Sequence, residues 1–477
     1  MARINTNVGS LVANVNLAKS QQSLSTSLQR LSSGMRINSG ADDPSGLIAS
    51  ETLRSEIQGI STAIDNGTRA NNVIATADGA LSEVSNLLVS IKGLVVQAAN
   101  SGGLSQDEID ANQLQVDSAI ASVTRISNST SFAGLKLLDG SLGYVTSGVT
   151  ASAMHDVHIF GAQFGTNPTM PVVVNVLQSA QPAVLKFQAS AVSTSVTLEI
   201  AGRMGVQTMS FISGTKASAI TFAINRVSDS TGVAATMTSA TNPSSGITFS
   251  TLGYGSKEFV SVTVLGDPNA FDTVTNSGAT QNRTIGRDVL ASVNGAQAIG
   301  NGLNLSVNTA ALTLSLNVDA AFGTGTKSFT ITGGGATFQL GPQVQTNQQV
   351  SIAIDSVSAS RLGSATDGYL TDVTTGGSAN LTKNPGKASR IIDDAINQVS
   401  VLRGRLGAFQ QNTLQTNMNS LQVAMENVTA SESTIRDTDF AMETSNLTRN
   451  QILVQAGTSV LSQANSTPQS VLKLLGG

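Results

Sequence analysis

Apolar residues near the N-terminus recur at the spacing of a helix that packs along one side. They follow one another at intervals of three and four residues, with a one-residue slip after position 18. The members of this pattern are Ile4, Val8, Leu11, Val15, Ala18, Leu24, Leu28, Leu31 and Met35. This spacing predicts a coiled-coil seam, and the slip predicts a local change in its winding.

A second, longer helical pattern follows a cluster of turn-forming residues at 38–46. It contains Leu53, Ile57, Ile60, Ile64, Ile74, Leu81, Leu88 and Ile91. We predict one helix from about residue 47 to about residue 100, roughly 80 Å long. The turn formers Ser101, Gly102 and Gly103 end it, and a shorter helical pattern occupies 109–126.

The middle of the chain, roughly 132–380, has a different pattern. β-Branched and polar residues alternate in short runs, such as 192–200, 312–316 and 329–331, separated by Gly, Ser, Thr and Asn. This alternation predicts a β-rich insert. Two segments within it, 217–228 and 286–293, are predicted to be short helices.

The last hundred residues return to a helical pattern. Asn384 and Pro385 are suited to the N-cap and the first position of a helix. Apolar residues then repeat mostly every seven positions, at Ile392, Val399, Leu406, Leu414, Leu421, Val428, Ile435 and Met442. Apolar residues continue from Ile452 to Leu475, close to the C-terminus.

A helix with one apolar face needs a partner to cover that face. We therefore predict an α+β fold in which long, antiparallel, coiled-coil-like helices from both termini pack together and carry a β-rich outer insert. The outermost apolar residues have few partners within the chain, so other copies are expected to cover them. The predicted subunit-packing residues are Ile4, Val8, Leu11, Val15, Leu24, Leu28, Leu31, Ile452, Val460, Leu461, Val471 and Leu474. A head-to-tail contact that does not close would produce a filament.

Composition excludes several classes of function. Charged residues make up 12% of the chain, the net charge is −4, and Lys and Arg form no run, so no nucleic-acid binding is expected. Without cysteine, the chain has no disulfide or thiolate chemistry. We find no secretory signal sequence and no uninterrupted run of 18 apolar residues, and expect no membrane insertion.

Candidate catalytic and metal-binding residues have simpler structural interpretations. The two histidines, His155 and His158, lack the further ligands that a zinc site needs. The segment 323–328 resembles a phosphate loop but lacks its Gly-Lys pair and is interpreted as a β-turn. The aspartates Asp42, Asp43, Asp437 and Asp439 are predicted to cap helices and pair with arginines. We expect no enzymatic activity, cofactor or metal.

Several long segments resemble bacterial flagellins. The run from Leu28 to Asn38, ending Ser-Gly-Met-Arg-Ile-Asn, and the double-aspartate turn at 42–46 match the N-terminal signature of that family. Segments 94–100 and 132–140 are similar to its long helix and its entry into the β region. Near the C-terminus, 406–410, 435–441 and 452–461 resemble family motifs. The resemblance covers about the first 140 and the last 95 residues.

The resemblance implies a filament subunit for swimming motility that is exported unfolded, without a cleaved signal peptide, to the extracellular flagellum. It implies an inner helical domain (1–42 with 440–477), a long-helix domain (43–175 with 350–439) and a β-rich, surface-exposed outer part (176–349). It also implies a flagellar export chaperone, and hook-associated and cap proteins, as partners. The alternative is a hook–filament junction protein, whose terminal patterns are similar. An adhesin or enzyme on flagellin-like ends would need a ligand or catalytic constellation in 176–349, and none is visible.

One segment departs from the family pattern. Where flagellins bind a Toll-like receptor, the family usually reads Arg, Val, Arg, Glu, Leu. This chain has Ser90, Ile91, Lys92, Gly93 and Leu94. The missing Arg removes a common interface anchor, and Gly93 weakens the helix by about 1 kcal/mol relative to Ala. We therefore expect only weak receptor binding.

Overall fold

Helices at both ends of the chain flank a β-rich middle. The structure is a computed structural model and describes residues 6–100, 102–165, 167–239 and 246–476; for residues 268, 468, 469 and 471–475 it describes the backbone only. The helices are α1 (Val8–Ser33), α2 (Pro44–Ala98), α3 (Gln106–Ser129), α4 (Ala217–Asn225), α5 (Ser228–Thr231), α6 (Pro385–Ala408), α7 (Thr416–Arg436) and α8 (Phe440–Leu475). A π-helical segment, Phe409–Gln415, joins α6 to α7.

Strands occupy the middle of the chain and pair antiparallel. In chain order they are β1 (Ser131–Phe132), β2 (Leu135–Lys136), β3 (Tyr144–Ser147), β4 (Met154–Ala162), β5 (Met170–Gln178), β6 (Val184–Phe187), β7 (Val196–Gly202), β8 (Val206–Phe211), β9 (Val233–Met237), β10 (Ile247–Thr251), β11 (Phe259–Leu265), β12 (Thr273–Val274), β13 (Arg283–Ile285), β14 (Leu290–Val293), β15 (Ala296–Gln297), β16 (Ile299–Asn301), β17 (Asn304–Asn308), β18 (Leu312–Val318), β19 (Gly325–Gly334), β20 (Ala336–Gln339), β21 (Gln349–Ile352), β22 (Gly363–Ser364) and β23 (Gly368–Tyr369).

The chain forms two compact units. Unit 1 comprises residues 1–69, 339–348 and 411–477, and unit 2 comprises 70–338 and 349–410. Unit 1 buries few apolar side chains among its described residues. They are Ala13, Leu17, Ile37, Ile60, Ala63, Leu340 and Leu414. In the monomer, the helices of unit 1 therefore enclose only a small hydrophobic core.

The helices of unit 2 have a continuous core. The apolar positions that the heptad pattern predicts, Ile74, Leu81, Leu88 and Ile91 in α2 and Ile392, Val399 and Leu406 in α6, all have side chains with no exposed surface. Polar contacts fix the antiparallel register of the two helices: Arg403 donates to Asp78 at 2.9 Å, and Lys92 donates to Ser389 at 2.7 Å. The apolar faces of these two helices are therefore covered within one chain.

The rest of unit 2 consists largely of β-sheets with two separate hydrophobic cores. The first β lobe contains the sheets β15-β14-β5-β19-β3 and β16-β17-β18-β4, and its core includes Val174, Leu316 and Phe329. The second β lobe contains the sheets β12-β6-β10-β9 and β13-β11-β7-β8 together with α4. Strict alternation of buried and half-buried residues along β7 and β18 is the period-two pattern of a strand with one face in a core.

Local sequence signals determine where several helices begin and end. Asn384 caps α6 by accepting a hydrogen bond from the Lys387 amide at 2.9 Å, with Pro385 as the first helical residue, as predicted. The helix predicted from 217 is confirmed as α4 and ends at Asn225. In α3, Ser105 and Glu108 form a reciprocal capping box.

The prediction of a helix at 286–293 is wrong. Residues Leu290–Val293 form β14, which joins β15 through a two-residue turn at Asn294 and Gly295. Both turn residues have positive φ, 49° and 83°. An Asn-Gly pair between apolar residues favours this tight hairpin because its twist matches that of the strands. The Asn-Gly pair was the sequence signal that the helical interpretation overlooked.

The long helix α2 contains an 18-residue window whose mean hydropathy, 1.3, is high enough for a membrane span by composition. The sequence has no uninterrupted run of 18 apolar residues, but the average hydropathy over 18 residues of α2 is nevertheless high. In that window 28% of the residues are buried, close to the two positions in seven of a coiled-coil seam. The fully buried Ile74, Leu81 and Leu88 form such a seam. One face of α2 is therefore buried in unit 2.

Candidate assembly surface

The two terminal helices, α1 and α8, run antiparallel beside each other in unit 1. At one end Asn7 donates to the Ala464 carbonyl and Ser10 donates to Asn465, both at 2.7 Å. Further along, a Cβ on Gly457 would lie 3.3 Å from Leu17 Cδ1, and Asn450 donates to Ser27 at 3.3 Å. Positions in α8 fall as positions in α1 rise, so these contacts set one register along the pair.

Only three residues of α1 are buried. They are Ala13, Leu17 and Ser27. The contact with α8 therefore combines Leu17 with small and polar side chains, and Gly457 lets the two backbones approach closely beside Leu17. These pairing residues were missed by sequence analysis, which followed the large apolar side chains. A glycine inside an otherwise helical pattern was the available signal.

Of the twelve predicted subunit-packing residues, nine have described side chains, and six of these nine lie on the exposed surface of this helix pair. In α1, Val8 and Leu11 are each 58% exposed, Val15 is 54% exposed and Leu28 is 51% exposed. In α8, Ile452 is 61% and Val460 is 57% exposed. Leu24, Leu31 and Leu461 are half-buried. Ile4 lies outside the described residues, and so do the side chains of Val471 and Leu474.

Exposed apolar surface of this extent is costly in water. Burying one Val, Leu or Ile side chain stabilises a structure by roughly 1.5–3 kcal/mol. The α1/α8 pair leaves that stabilisation unused at its six exposed residues, because its register turns them away from the contact. The arrangement can therefore act as a binding surface for further apolar helices.

A polar junction fixes the breaks between consecutive helices of unit 1. The α1–α2 connection and the α7–α8 connection meet in a short β-bridge between Met35 and Asp437. The Arg36 amide donates to the Arg436 carbonyl at 2.7 Å, and the Thr438 amide donates to the Gly34 carbonyl at 3.0 Å. These hydrogen bonds hold the α1–α2 connection beside the α7–α8 connection.

Two arginine side chains link the helices around this junction through ion pairs with glutamates. Arg436, with a side chain only 17% exposed, donates to Glu51 of α2 at 3.0 Å and lies 4.0 Å from Glu432. Arg30 of α1 lies 3.7 Å from Glu443 of α8, whose side chain is 9% exposed. Arg30 and Arg436 were not among the predicted site residues. Their position beside the paired turns explains why arginine occurs there.

Of the four aspartates predicted to cap helices, Asp43 and Asp439 do so, whereas Asp42 binds the turn before α2 and Asp437 accepts from the Ser433 hydroxyl. Asp43 accepts from the Gly46 amide at 2.9 Å in the first turn of α2, and that hydrogen bond holds the pKa of Asp43 below its ordinary value. Asp42 accepts from the Ser39 amide at 2.8 Å, which lowers its pKa in the same way. Asp439 is the N-cap of α8 and accepts from the amides of Ala441 and Met442.

The two histidines lie on β4 in unit 2 and have separate partners. His155 Nδ1 lies 3.2 Å from Asp156, and His158 Nδ1 lies 3.2 Å from Asp355. The hydrogen bond to Asp355 raises the pKa of His158 above its ordinary value. His158 also lines a cavity of about 260 Å³. Among the described residues no group of three or more His, Asp and Glu side chains could hold a metal ion.

The predicted receptor segment lies on α2 within unit 2. Ile91 has no exposed surface, and Lys92 is engaged by Ser389 and by Asp393, at 2.7 and 2.5 Å. Ser90 and Gly93 are exposed, and a Cβ on Gly93 would meet no atom within 4 Å. Ser90 and Gly93 are therefore the most accessible residues of this segment, while Lys92 and Leu94 are half-buried.

Comparison with known proteins agrees with this architecture. A model of the bacterial flagellin N-terminal helical region matches residues 4–142, and one of the bacterial flagellin C-terminal helical region matches residues 389–475. The chain is 30% identical to a flagellin of Salmonella rubislaw over 504 residues, covering 99% of both chains. It is also 30% identical to the B-type flagellin of Pseudomonas aeruginosa, again covering 99% of both.

The fold, with helices from both termini and a β-rich middle, defines a structural, self-assembling class of protein. The full-length agreement above identifies the family: this chain belongs to the bacterial flagellins. It is a structural subunit of the bacterial flagellar filament. The hook–filament junction alternative gains no better support from these relatives.

Similarity to solved structures is weaker and carries no functional argument. The flagellar hook associated protein-3 of Legionella pneumophila aligns with 81% of this chain and 98% of its own. The TM-score is 0.31 and the sequence identity is 12%.

The N-cap at Asp439 yields the first prediction. Replacing Asp439 by Ala removes the acceptor for two amides of α8 and is expected to lower the free energy of unfolding by about 1 kcal/mol. Asp439→Asn keeps a side-chain acceptor and should stay within a few tenths of a kcal/mol of the parental chain. Urea denaturation of the monomer measures both. Equal loss in the two variants would contradict the capping role.

Proposed function

We propose that copies of this chain assemble by covering the large exposed residues of α1 and α8 with the same helices of neighbouring subunits. The observation that carries this proposal is that different residues of the pair make the internal contact and form the exposed surface. Small and polar side chains, such as Ala13 and Ser27, make the contact within the chain. Large apolar ones, such as Leu28 and Ile452, remain more than half exposed.

The domain division is part of the same proposal. Residues 1–42 with 440–477 form the inner helical domain, 43–175 with 350–439 the long-helix domain, and 176–349 the β-rich outer domain at the filament surface. The polar junction at Met35 and Asp437 supports a boundary near residues 42 and 440, because both helical connections break there. Strands β3, β4 and most of β5 precede residue 176, so the long-helix range includes β structure.

We also propose the partners and the route of export. Apolar residues exposed on α8 before assembly, such as Ile452 and Val460, need cover in the cell. A flagellar export chaperone that binds the C-terminal helix would supply that cover. The absence of cysteine suits export in an unfolded state, without a cleaved signal peptide, to the extracellular flagellum. Hook-associated and cap proteins then meet the ends of the filament, and no catalytic role is proposed.

Binding to a Toll-like receptor is proposed to be weak. The segment 90–94 offers Ser90 and Gly93 where an Arg and a Glu are usual, and Lys92 is already paired with Asp393. An anchor side chain that must first leave an ion pair contributes less to an interface than a free one.

The assembly proposal is tested by two charged substitutions. Leu28→Lys and Ile452→Lys keep helix propensity but place an ammonium group where an apolar contact is proposed. Each is expected to raise the critical concentration for polymerisation at least about tenfold, because an apolar contact worth roughly 1.5–3 kcal/mol is lost. Light scattering during seeded growth measures this concentration.

The matched control is Ile299→Lys in unit 2, because Ile299 is also exposed, by 74%. We expect this variant to polymerise like the parental chain, and all three monomers to unfold at similar temperatures. Parental critical concentrations for both Leu28→Lys and Ile452→Lys would contradict the proposed surface.

The receptor proposal is tested by restoring the usual residues. A chain with Ser90→Arg and Gly93→Glu is expected to activate receptor-expressing cells at about tenfold lower concentration, because an Arg anchor is regained. Gly93→Ala serves as the control, since it strengthens the helix without adding the side chain that binds. Potent activation by the parental chain, equal to that of the double variant, would refute the proposal.

A further inference from the structure

We propose that β8 is an interaction strand whose open edge pairs with β8 of a second copy in a neighbouring filament. The pairing would hold filaments side by side. This inference rests on the proposed function, in particular on the placement of residues 176–349 at the filament surface. It concerns a contact between filaments, which is separate from the contact that builds each one.

The first observation is that β8 lies at the edge of its sheet. The strand order is β13-β11-β7-β8, and among the described residues no strand pairs with the other side of β8. All six residues, Val206–Phe211, pair with β7 in continuous register. Half of the backbone N–H and C=O groups of this strand therefore point away from the sheet. They form a template for another strand.

The second observation is that β8 itself has none of the residues or bulges that usually protect an edge strand. Edge strands are commonly blocked by Lys, by Pro, by a bulge or by inward-pointing charges. The sequence of β8 is Val-Gln-Thr-Met-Ser-Phe, without charge or Pro, and its pairing with β7 shows no register shift. A strand of this composition pairs readily with a copy of itself.

The third observation fixes the register of the contact. The Gly202 amide donates to the Gly205 carbonyl, at 3.0 Å, across the β7–β8 hairpin. Since hydrogen-bonded pairs alternate along an antiparallel ladder, the backbone groups of Val206, Thr208 and Ser210 point to the open edge. A second β8 can use all of these groups on both strands only if Thr208 pairs with Thr208 and Val206 pairs with Ser210. About six main-chain hydrogen bonds would result.

This register also brings exposed apolar residues together. Met204, in the hairpin turn, is 55% exposed, and Ile212, just after β8, is 77% exposed. In the pair centred on Thr208, Met204 of each copy reaches the end of the other strand, where Ile212 lies. Two such apolar contacts would flank the hydrogen-bonded centre. The edge is therefore self-complementary, which favours a second copy as its occupant.

Symmetry decides where the second copy is located. An antiparallel pair of identical strands is related by a two-fold axis, whereas subunits in a head-to-tail filament are related by a screw operation without one. The β8 pair therefore joins subunits of two different filaments. A single pair of edge strands binds weakly, but many pairs along two filaments act together.

Charge substitutions at the two-fold centre test the proposal on filaments of the full chain. Thr208→Lys places two ammonium groups opposite each other, and Thr208→Glu places two carboxylates there. Parental filaments should bundle, and filaments of either variant should bundle about tenfold less, as measured by low-speed sedimentation and electron microscopy. Mixing Thr208→Lys filaments with Thr208→Glu filaments should restore bundling, because opposite charges then meet.

The same charge pair at Asn276, an exposed residue of the second β lobe, is the matched control. Asn276→Lys and Asn276→Glu filaments should each bundle like the parental ones. Undiminished bundling of the Thr208 variants, equal loss in the Asn276 variants, or parental filaments that stay single would each overturn the β8 contact. Microscopy of single filaments shows separately whether assembly itself has failed, which would overturn the proposed function instead.

Discussion

The register of the antiparallel α1/α8 pair is the constraint on which the assembly account depends. Hydrogen bonds from Asn7 to Ala464 and from Asn450 to Ser27 fix that register along the pair. It places small side chains and Gly457 in the contact and turns Leu28 and Ile452 outward. The pair forms within one chain, yet it leaves large apolar side chains of both helices exposed.

Unit 2, in contrast to the α1/α8 pair, buries its large apolar residues within the chain. There the heptad residues of α2 and α6 are fully buried, and each β lobe encloses a core of its own. Such a unit has the burial needed to fold without a partner. A subunit of this design can be stable as a monomer and still have a strong reason to polymerise, because the two properties belong to different residues.

The sequence was sufficient for the helices and for most of the exposed surface, because period-seven patterns report which side chains share a face. Ile74, Leu81 and Ile392 follow directly from that period. It could not report which face packs within the chain, since Ala13 and Gly457 carry no apolar signal. The hairpin at Asn294 was available from turn chemistry. The polar junction of Arg436 with Glu51 depends on two chain breaks meeting in space, and no local pattern encodes such a meeting.

The most direct measurement of the central claim is polymerisation of chains that lack one member of the terminal pair. Removing residues 1–30 or 450–477 takes away the proposed assembly surface and leaves unit 2 intact. The account predicts a soluble, folded monomer that forms no filament from seeds in electron micrographs. Filaments of normal length and appearance from either truncated chain would contradict it.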